Sequence, residues 1–223
     1  MEDKPLTEEE LSINHIKILA QTQSKIHKLN IVSNLPCSYR KIKIEFDKYL
    51  LLTKKIDSDL YKTILNNIQV LNEIVTKCNN KIKIMKTNLC LSHNDYKLLN
   101  VLWNNETMTL IDFDATGLAN PSCCLCESAF TFSKFKNTIK YNYYEEYLRT
   151  YLTHYGPIKE DFNDCLYASF NGKLQWLEYM LSKSTNKKNN YINESIKMIN
   201  ELVLYYNNIN QFYNIYIRVL KSL

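Results

Sequence analysis

The chain has 223 residues, with 28 Lys and Arg against 23 Asp and Glu, for a formal net charge of +5. That excess is spread out with no long basic run, which argues against nucleic-acid binding, where charge gathers into a stripe. An apolar share of 45% with 23% charged suits a globular chain burying one sizeable core, and no stretch approaches the roughly eighteen apolar residues of a membrane span.

Met1–Glu10 is polar and acidic, unlike a secretory signal, so the expected compartment is the cytoplasm. Thr7 and Glu10 form a capping-box pattern opening a predicted helix, with Leu11, Ile16, Leu19, Ala20 and Ile26 on its buried face. The helix is expected to stop near Asn30, before a looser segment around Pro36. Helical periodicity returns over about 41–54 and again over about 58–78. In the latter Leu60, Ile64, Ile68, Leu71 and Val75 keep the spacing, and Asp57 or Ser58 can cap it. The period then changes. Leu89-Cys90-Leu91 is a short apolar run ending at His93. Val101-Leu102-Trp103, Asn104-Asn105-Glu106 and Met108-Thr109-Leu110-Ile111 read as a hairpin with a polar turn.

After Pro121 the chain reads as helical to its end, with breaks near Asn137, Gly156-Pro157 and Ser184–Asn190. Ile192, Ile196, Ile199, Val203 and Tyr206 form a stripe assigned to the core. The seven Cys, an odd number, are expected to be reduced thiols. Cys123-Cys124-x-Cys126 lacks paired metal spacing and reads as small buried residues. Trp176 and Tyr179 are expected to pack in the core. Glu145, Glu146, Asp161, Asp164 and Glu178 are expected on exposed helix faces rather than in one acidic pocket. The predicted fold class is mainly α (α+β), a single lobe. Residues 1–88 are N-terminal helices, 89–116 a small β-hairpin with its loops, and 117–223 C-terminal helices.

The chemistry is concentrated in 89–116. Residues 93–100 read His-Asn-Asp-Tyr-Lys-Leu-Leu-Asn, and Ile111-Asp112-Phe113-Asp114 follows. An H-x-D-x-x-x-x-N loop ahead of an apolar-Asp-Phe segment is the catalytic layout of kinases. Asp95 would accept the proton of an attacking hydroxyl, while Asn100 and Asp112 offer the hard oxygen donors that magnesium prefers. His93 reads as a residue that fixes the loop. Lys97 either offsets charge on the transferring phosphoryl group or is a solvated loop lysine. Asp114 either adds a carboxylate or caps the next turn. The chain's three Gly are Gly117, Gly156 and Gly172, so no Gly-rich phosphate loop precedes the cluster.

These segments, with Val101-Leu102-Trp103 and Gly117-x-x-x-Pro121, resemble the aminoglycoside phosphotransferase family of the broader choline-kinase-like class. Gly172-Lys173-Leu174-x-Trp176-Leu177-Glu178-Tyr179 and Ile26-His27-Lys28-Leu29 resemble it more loosely. The resemblance implies a protein-kinase-like C-terminal lobe without the N-terminal β lobe. It also implies transfer of phosphate from ATP to a small-molecule hydroxyl, with Asp95 as base and Asn100 and Asp112 holding Mg. The family usually carries an acid three positions after the proline, where this chain has Cys124; Glu127 lies one helical turn on. A nucleotide-covering lobe is not represented, and a separate polypeptide is one possible source. The expected activity of these residues alone is therefore poor. Two alternatives are a non-catalytic, pseudokinase-like interaction module and a metal-dependent hydrolase using His93, Asp95, Asp112 and Asp114.

Overall fold

Ser12, not Thr7, opens the first long helix. The computed structural model describes residues 3–29, 34–37, 39–184 and 189–223. Lys4–Pro5 (β1) is followed by the Thr7–Glu10 pair, whose hydrogen bonds form (Thr7 N–H donates to Glu10 Oε2 at 2.8 Å). They close only an isolated turn, because Leu11 then enters the core. Helix α1, Ile13–His27, takes its cap from Ser12, whose Oγ accepts from His15 N–H while its own N–H donates to His15 Nδ1. The predicted end near Asn30 lies outside the described residues. Ile16, Leu19 and Ala20 are buried as expected, and Gln23, Ser24 and His27 extend that face with polar groups.

The 41–54 helix is shorter than its periodicity predicts. Residues 41–45 are extended, with Ile42 and Ile44 inward and Lys41, Lys43 and Glu45 outward. Asn79 holds both backbone groups of Ile42, at 2.8 and 3.0 Å, so α2 starts only at Phe46 and ends at Thr53. Helix α3, Ser58–Lys81, begins under Asp57, whose Oδ1 accepts from the N–H groups of Asp59 and Leu60.

Strands β2 (Cys90–Ser92), β3 (Val101–Asn104), β4 (Thr107–Leu110) and β5 (Gly117–Ala119) follow. The predicted hairpin forms with Val101 opposite Leu110 and Asn104 opposite Thr107, turning through Asn105 at φ 55. Two pairings were not predicted: β1 on β3, and β2 on β5, both antiparallel. The remainder is helical around one small hairpin: α4 (Pro121–Ser133), β6 (Lys134–Phe135), β7 (Thr138–Ile139), α5 (Tyr141–Tyr155), α6 (Phe162–Ala168), α7 (Phe170–Ser184), α8 (Asn189–Asn207) and α9 (Ile209–Leu220). Residues 185–188 of the predicted Ser184–Asn190 break lie outside the described residues.

One hydrophobic cluster runs from Leu11 to Val219. Stacked rings dominate it, including Phe130 on Tyr205 at 4.4 Å and Phe162 on Tyr216 at 3.9 Å between centroids. The α8 stripe is rotated from its predicted line. Ile192 and Ile199 are buried, but Leu202 and Tyr205 replace Val203 and Tyr206, because α8 packs against both α7 and α3. Trp176 and Tyr179 are not in the core. They are 51% and 41% exposed and stack on each other, since α7 buries the Phe170, Leu174, Leu177 and Leu181 face instead. Among the described residues no helix is long and apolar enough to cross a membrane.

Candidate active site

The register of β2 on β5 pins the two ends of a single excursion. Ser92 pairs with Gly117, and residues 93–116, with both predicted clusters, leave and return between them. Gly117 belongs at this junction because a Cβ would lie 2.6 Å from the Pro36 carbonyl oxygen. That carbonyl accepts the Leu118 N–H at 3.0 Å, which lays the segment around Pro36 across the root of the excursion.

His93 is buried and joins the clusters. Asp95 N–H donates to its Nδ1 at 3.3 Å, which assigns the ring proton to Nε2, and Nε2–H donates to the Ile111 carbonyl at 2.9 Å. The Ile111 N–H in turn donates to the Asn100 carbonyl at 3.0 Å. Ile111 is thus held at both backbone groups, and Asp112 comes next. Asp112 is exposed and left-handed, with φ 62 and ψ 68, a conformation that Asp tolerates better than most residues. It heads a 3-10 turn, Phe113–Ala115, where Asp114 is also exposed.

Asn100 is buried and spends its amide on Asp95. Nδ2 donates to both the Asp95 carbonyl and Asp95 Oδ2, each at 2.8 Å. Lys97 Nζ lies 2.8 Å from the same Oδ2. Asp95, Lys97 and Asn100 are therefore one cluster, with Asp112 tethered to it through Ile111. Tyr96, between Asp95 and Lys97, donates its hydroxyl to the Leu19 carbonyl at 2.9 Å and sets its ring edge against Phe132, seating the loop on α1 and α4.

Helix α4 supports the loop from below. The three cysteines of its first two turns are buried, as small apolar residues would be. Burial pushes the Cys124 thiol up to about 11. Its sulfur lies 3.5 Å from Ser92 Oγ and 3.7 Å from the Tyr39 hydroxyl. Glu127 does not take over the missing acid's place by a hydrogen bond to the loop among the described contacts. It lies in the electrostatic field of Asp95, where burial, with repulsion from Glu201 and Asp95, raises its carboxyl against the pull of Lys173. The other acids are dispersed. Glu145 pairs with Arg149 and Arg218, Glu146 with Lys17, Asp164 with Lys81 and Glu178 with Arg40, while Asp161 caps α6.

Among the described residues no group of three or more His, Cys, Asp or Glu side chains converges on a metal position. Asn100 and Asp112 would offer two oxygen donors, a set suited to a magnesium ion carried largely by water and phosphate oxygens rather than by a protein cage.

The sequence matches the model of the phosphotransferase enzyme family, APH, over residues 2–162. The chain belongs to this phosphotransferase family. No curated protein matches it significantly in sequence. Among solved structures it is similar to a spectinomycin phosphotransferase in complex with ADP and spectinomycin, at TM-score 0.59 and 19% identity, covering 91% of this chain and 67% of that one. It is also similar to the Plasmodium vivax ethanolamine kinase, at TM-score 0.56 and 13% identity, covering 96% and 65%. For the choline kinase from Cryptosporidium parvum the TM-score is 0.51 and the identity 16%, covering 95% and 70%. These likenesses extend to the fold, and the chain spans about two thirds of the length of those phosphotransferase-family proteins.

Sequence reading missed Tyr39 and Tyr96. Tyr39 lies in a segment taken as loose, yet the inward Ile42, Ile44 and Phe46 that follow it carry the period-2 signal of extended, anchored chain. Tyr96 gave no signal apart from its place inside the loop.

Proposed function

We propose that this chain acts in the transfer of the ATP γ-phosphate to a small-molecule hydroxyl, with residues 1–223 forming one kinase-type lobe. The observation that carries this reading is the pair of hydrogen bonds that the Asn100 amide donates to Asp95, together with the clamp on Ile111 that ties Asp112 to the same loop. Lys97 and Asn100 both occupy Asp95 Oδ2, which leaves Oδ1 to accept the acceptor's hydroxyl proton as its oxygen attacks the γ-phosphorus and ADP leaves. Lys97 also brings a cation to the charge that develops there. Asn100 turns its Nδ2 to Asp95, so its Oδ1 would be the atom left to hold a metal ion, with the Asp112 carboxylate as the charged ligand. A magnesium ion held there would neutralise the phosphate oxygens.

Of the similar proteins, one is named for spectinomycin, one for ethanolamine and one for choline. A hydroxyl-bearing small molecule is the acceptor class proposed here. No glycine precedes Gly117 to build a phosphate loop, and we infer that other polypeptide would supply the cover for the nucleotide phosphates. Residues 1–223 alone are expected to bind Mg·ATP weakly and turn over slowly.

Manganese EPR with ADP tests the metal assignment without turnover. Asp112→Asn and Asn100→Ala should each weaken binding by about tenfold or more, while Asp95→Ala should leave binding near wild type and abolish transfer from labelled ATP. Transfer that survives Asp95→Ala would overturn the assignment of the base.

A further inference from the structure

Residues 34–37 and 39–44 form a strap across the root of the 93–116 excursion. Pro36 accepts from Leu118 N–H of β5 at 3.0 Å. The Arg40 carbonyl accepts from Asn171 Nδ2 of α7 at 2.8 Å, and its guanidinium pairs with Glu178 at 2.5 Å. Asn79 of α3 holds both backbone groups of Ile42. Between Pro36 and Arg40 the strap turns Tyr39 inward, and its hydroxyl lies 3.7 Å from Cys124 Sγ. On its other side that sulfur lies 3.5 Å from Ser92 Oγ. A protonated thiol can accept a hydrogen bond from one hydroxyl and donate to the other, and burial keeps this thiol protonated. Ser92 is the last residue of β2, directly ahead of His93, which fixes both Asp95 and Ile111.

We propose that Tyr39 and Cys124 are positioning residues that hold Ser92, and through it the 93–100 loop, in register with Asp112. Strap seating and loop placement are then coupled, because the strap that meets Leu118 through Pro36 and Asn171 through Arg40 brings the Tyr39 hydroxyl to the sulfur. Packing alone predicts otherwise, since trimming the Tyr39 hydroxyl or the Cys124 sulfur would then loosen only the groups that touch them. The proposal rests on the phosphotransferase reading for its functional meaning but not for its test.

The test compares amide hydrogen exchange in wild type, Tyr39→Phe, Cys124→Ala and Cys124→Ser. Tyr39→Phe and Cys124→Ala should speed exchange across residues 93–100 about tenfold while α3 and α8 exchange as in wild type. Cys124→Ser, which keeps a donor and acceptor, should restore part of the protection. Manganese affinity with ADP should fall in the same order, a readout that lost packing elsewhere would not move. Loop exchange at the wild-type rate in Tyr39→Phe and Cys124→Ala would overturn the proposal. So would acceleration spread equally over α3, α8 and the loop. Loss of transfer activity in Asp95→Ala bears only on the phosphotransferase reading, because loop exchange is read without turnover.

Discussion

Gly117 shows how one residue decides whether the site can assemble. It starts β5, faces Ser92 across the strand pair and lets the Pro36 carbonyl approach Leu118 N–H. A methyl group would stand 2.6 Å from that carbonyl oxygen and 3.1 Å from Asn94 Nδ2. The nearer atom is backbone, so relief requires moving the strap or the strand. Gly117→Ala should cost about 2 kcal/mol, in the range of overpacked sites, read as a lower urea midpoint at unchanged slope. Gly117 was legible as part of a motif, but the reason for it was not, because the crowding atom comes from Pro36, far away in sequence. Asp95, Asn100 and Asp112 stood out in the sequence because the chemistry proposed for them calls for those residue types at that spacing. Cys124 was legible only as a departure; its two hydroxyl neighbours come from a strap and a strand that no local pattern joins.

Among elements, the contact of α1 with α5 carries two buried polar pairs on an otherwise apolar seam. Tyr147 donates to Gln23 Oε1 at 2.9 Å, and His27 Nδ1 meets the Tyr151 hydroxyl at 2.6 Å. Burial pushes the His27 pKa down to about 3, so the folded state holds the neutral ring. The unfolded chain titrates near 6.5, and above that pH both states are neutral and the group contributes no pH dependence. As pH falls below about 6.5 the unfolded state binds a proton that the native state refuses, and stability drops until roughly pH 3. From pH 7 to 5 the His27 contribution should fall by about 2 kcal/mol. Denaturation of wild type and His27→Asn at both values should show the difference between them shift by that amount. Helices with one buried face, such as α3, were readable from period alone. The β1 and β5 pairings were not, since two or three residues carry no alternation to detect. The isolated Thr7–Glu10 turn shows the converse, a correct local signal that tertiary packing of Leu11 prevented from growing into a helix.

Across the whole molecule, a chain of charges ties the N-terminal turn to the C-terminal helices. Lys173 of α7 pairs with Glu201 of α8 at 2.7 Å, Glu201 with Lys134 at 3.1 Å, and Lys134 with Glu8 at 3.8 Å. The side chains of Lys173 and Glu201 are only 11% and 19% exposed, so solvent screening is weak. Burial opposes the charge on Glu201, yet Lys173 and Lys134 outweigh it and hold the carboxyl down at about 2. Burial likewise opposes the charge on Lys173, and Glu201 with Glu127 outweighs it, so its pKa is raised. Removing one member of such a group is costly because the remaining charges stay buried without their partner. Glu201→Gln removes the carboxylate that Lys173 and Lys134 share and leaves Lys134 only Glu8 at 3.8 Å, whereas Lys173→Met leaves Glu201 with Lys134. The glutamate variant should therefore lose more, about 3 to 5 kcal/mol. Its unfolded value is near 4.3 and its folded value lower, so the stabilisation is present above about pH 4.3 and is lost as pH falls toward 2. Urea titrations at pH 7 and pH 3 should show the gap between wild type and Glu201→Gln narrowing at the lower value. It should change little between low and high salt at pH 7, as expected of a buried rather than a surface pair. A gap that closes in salt would place these charges in solvent.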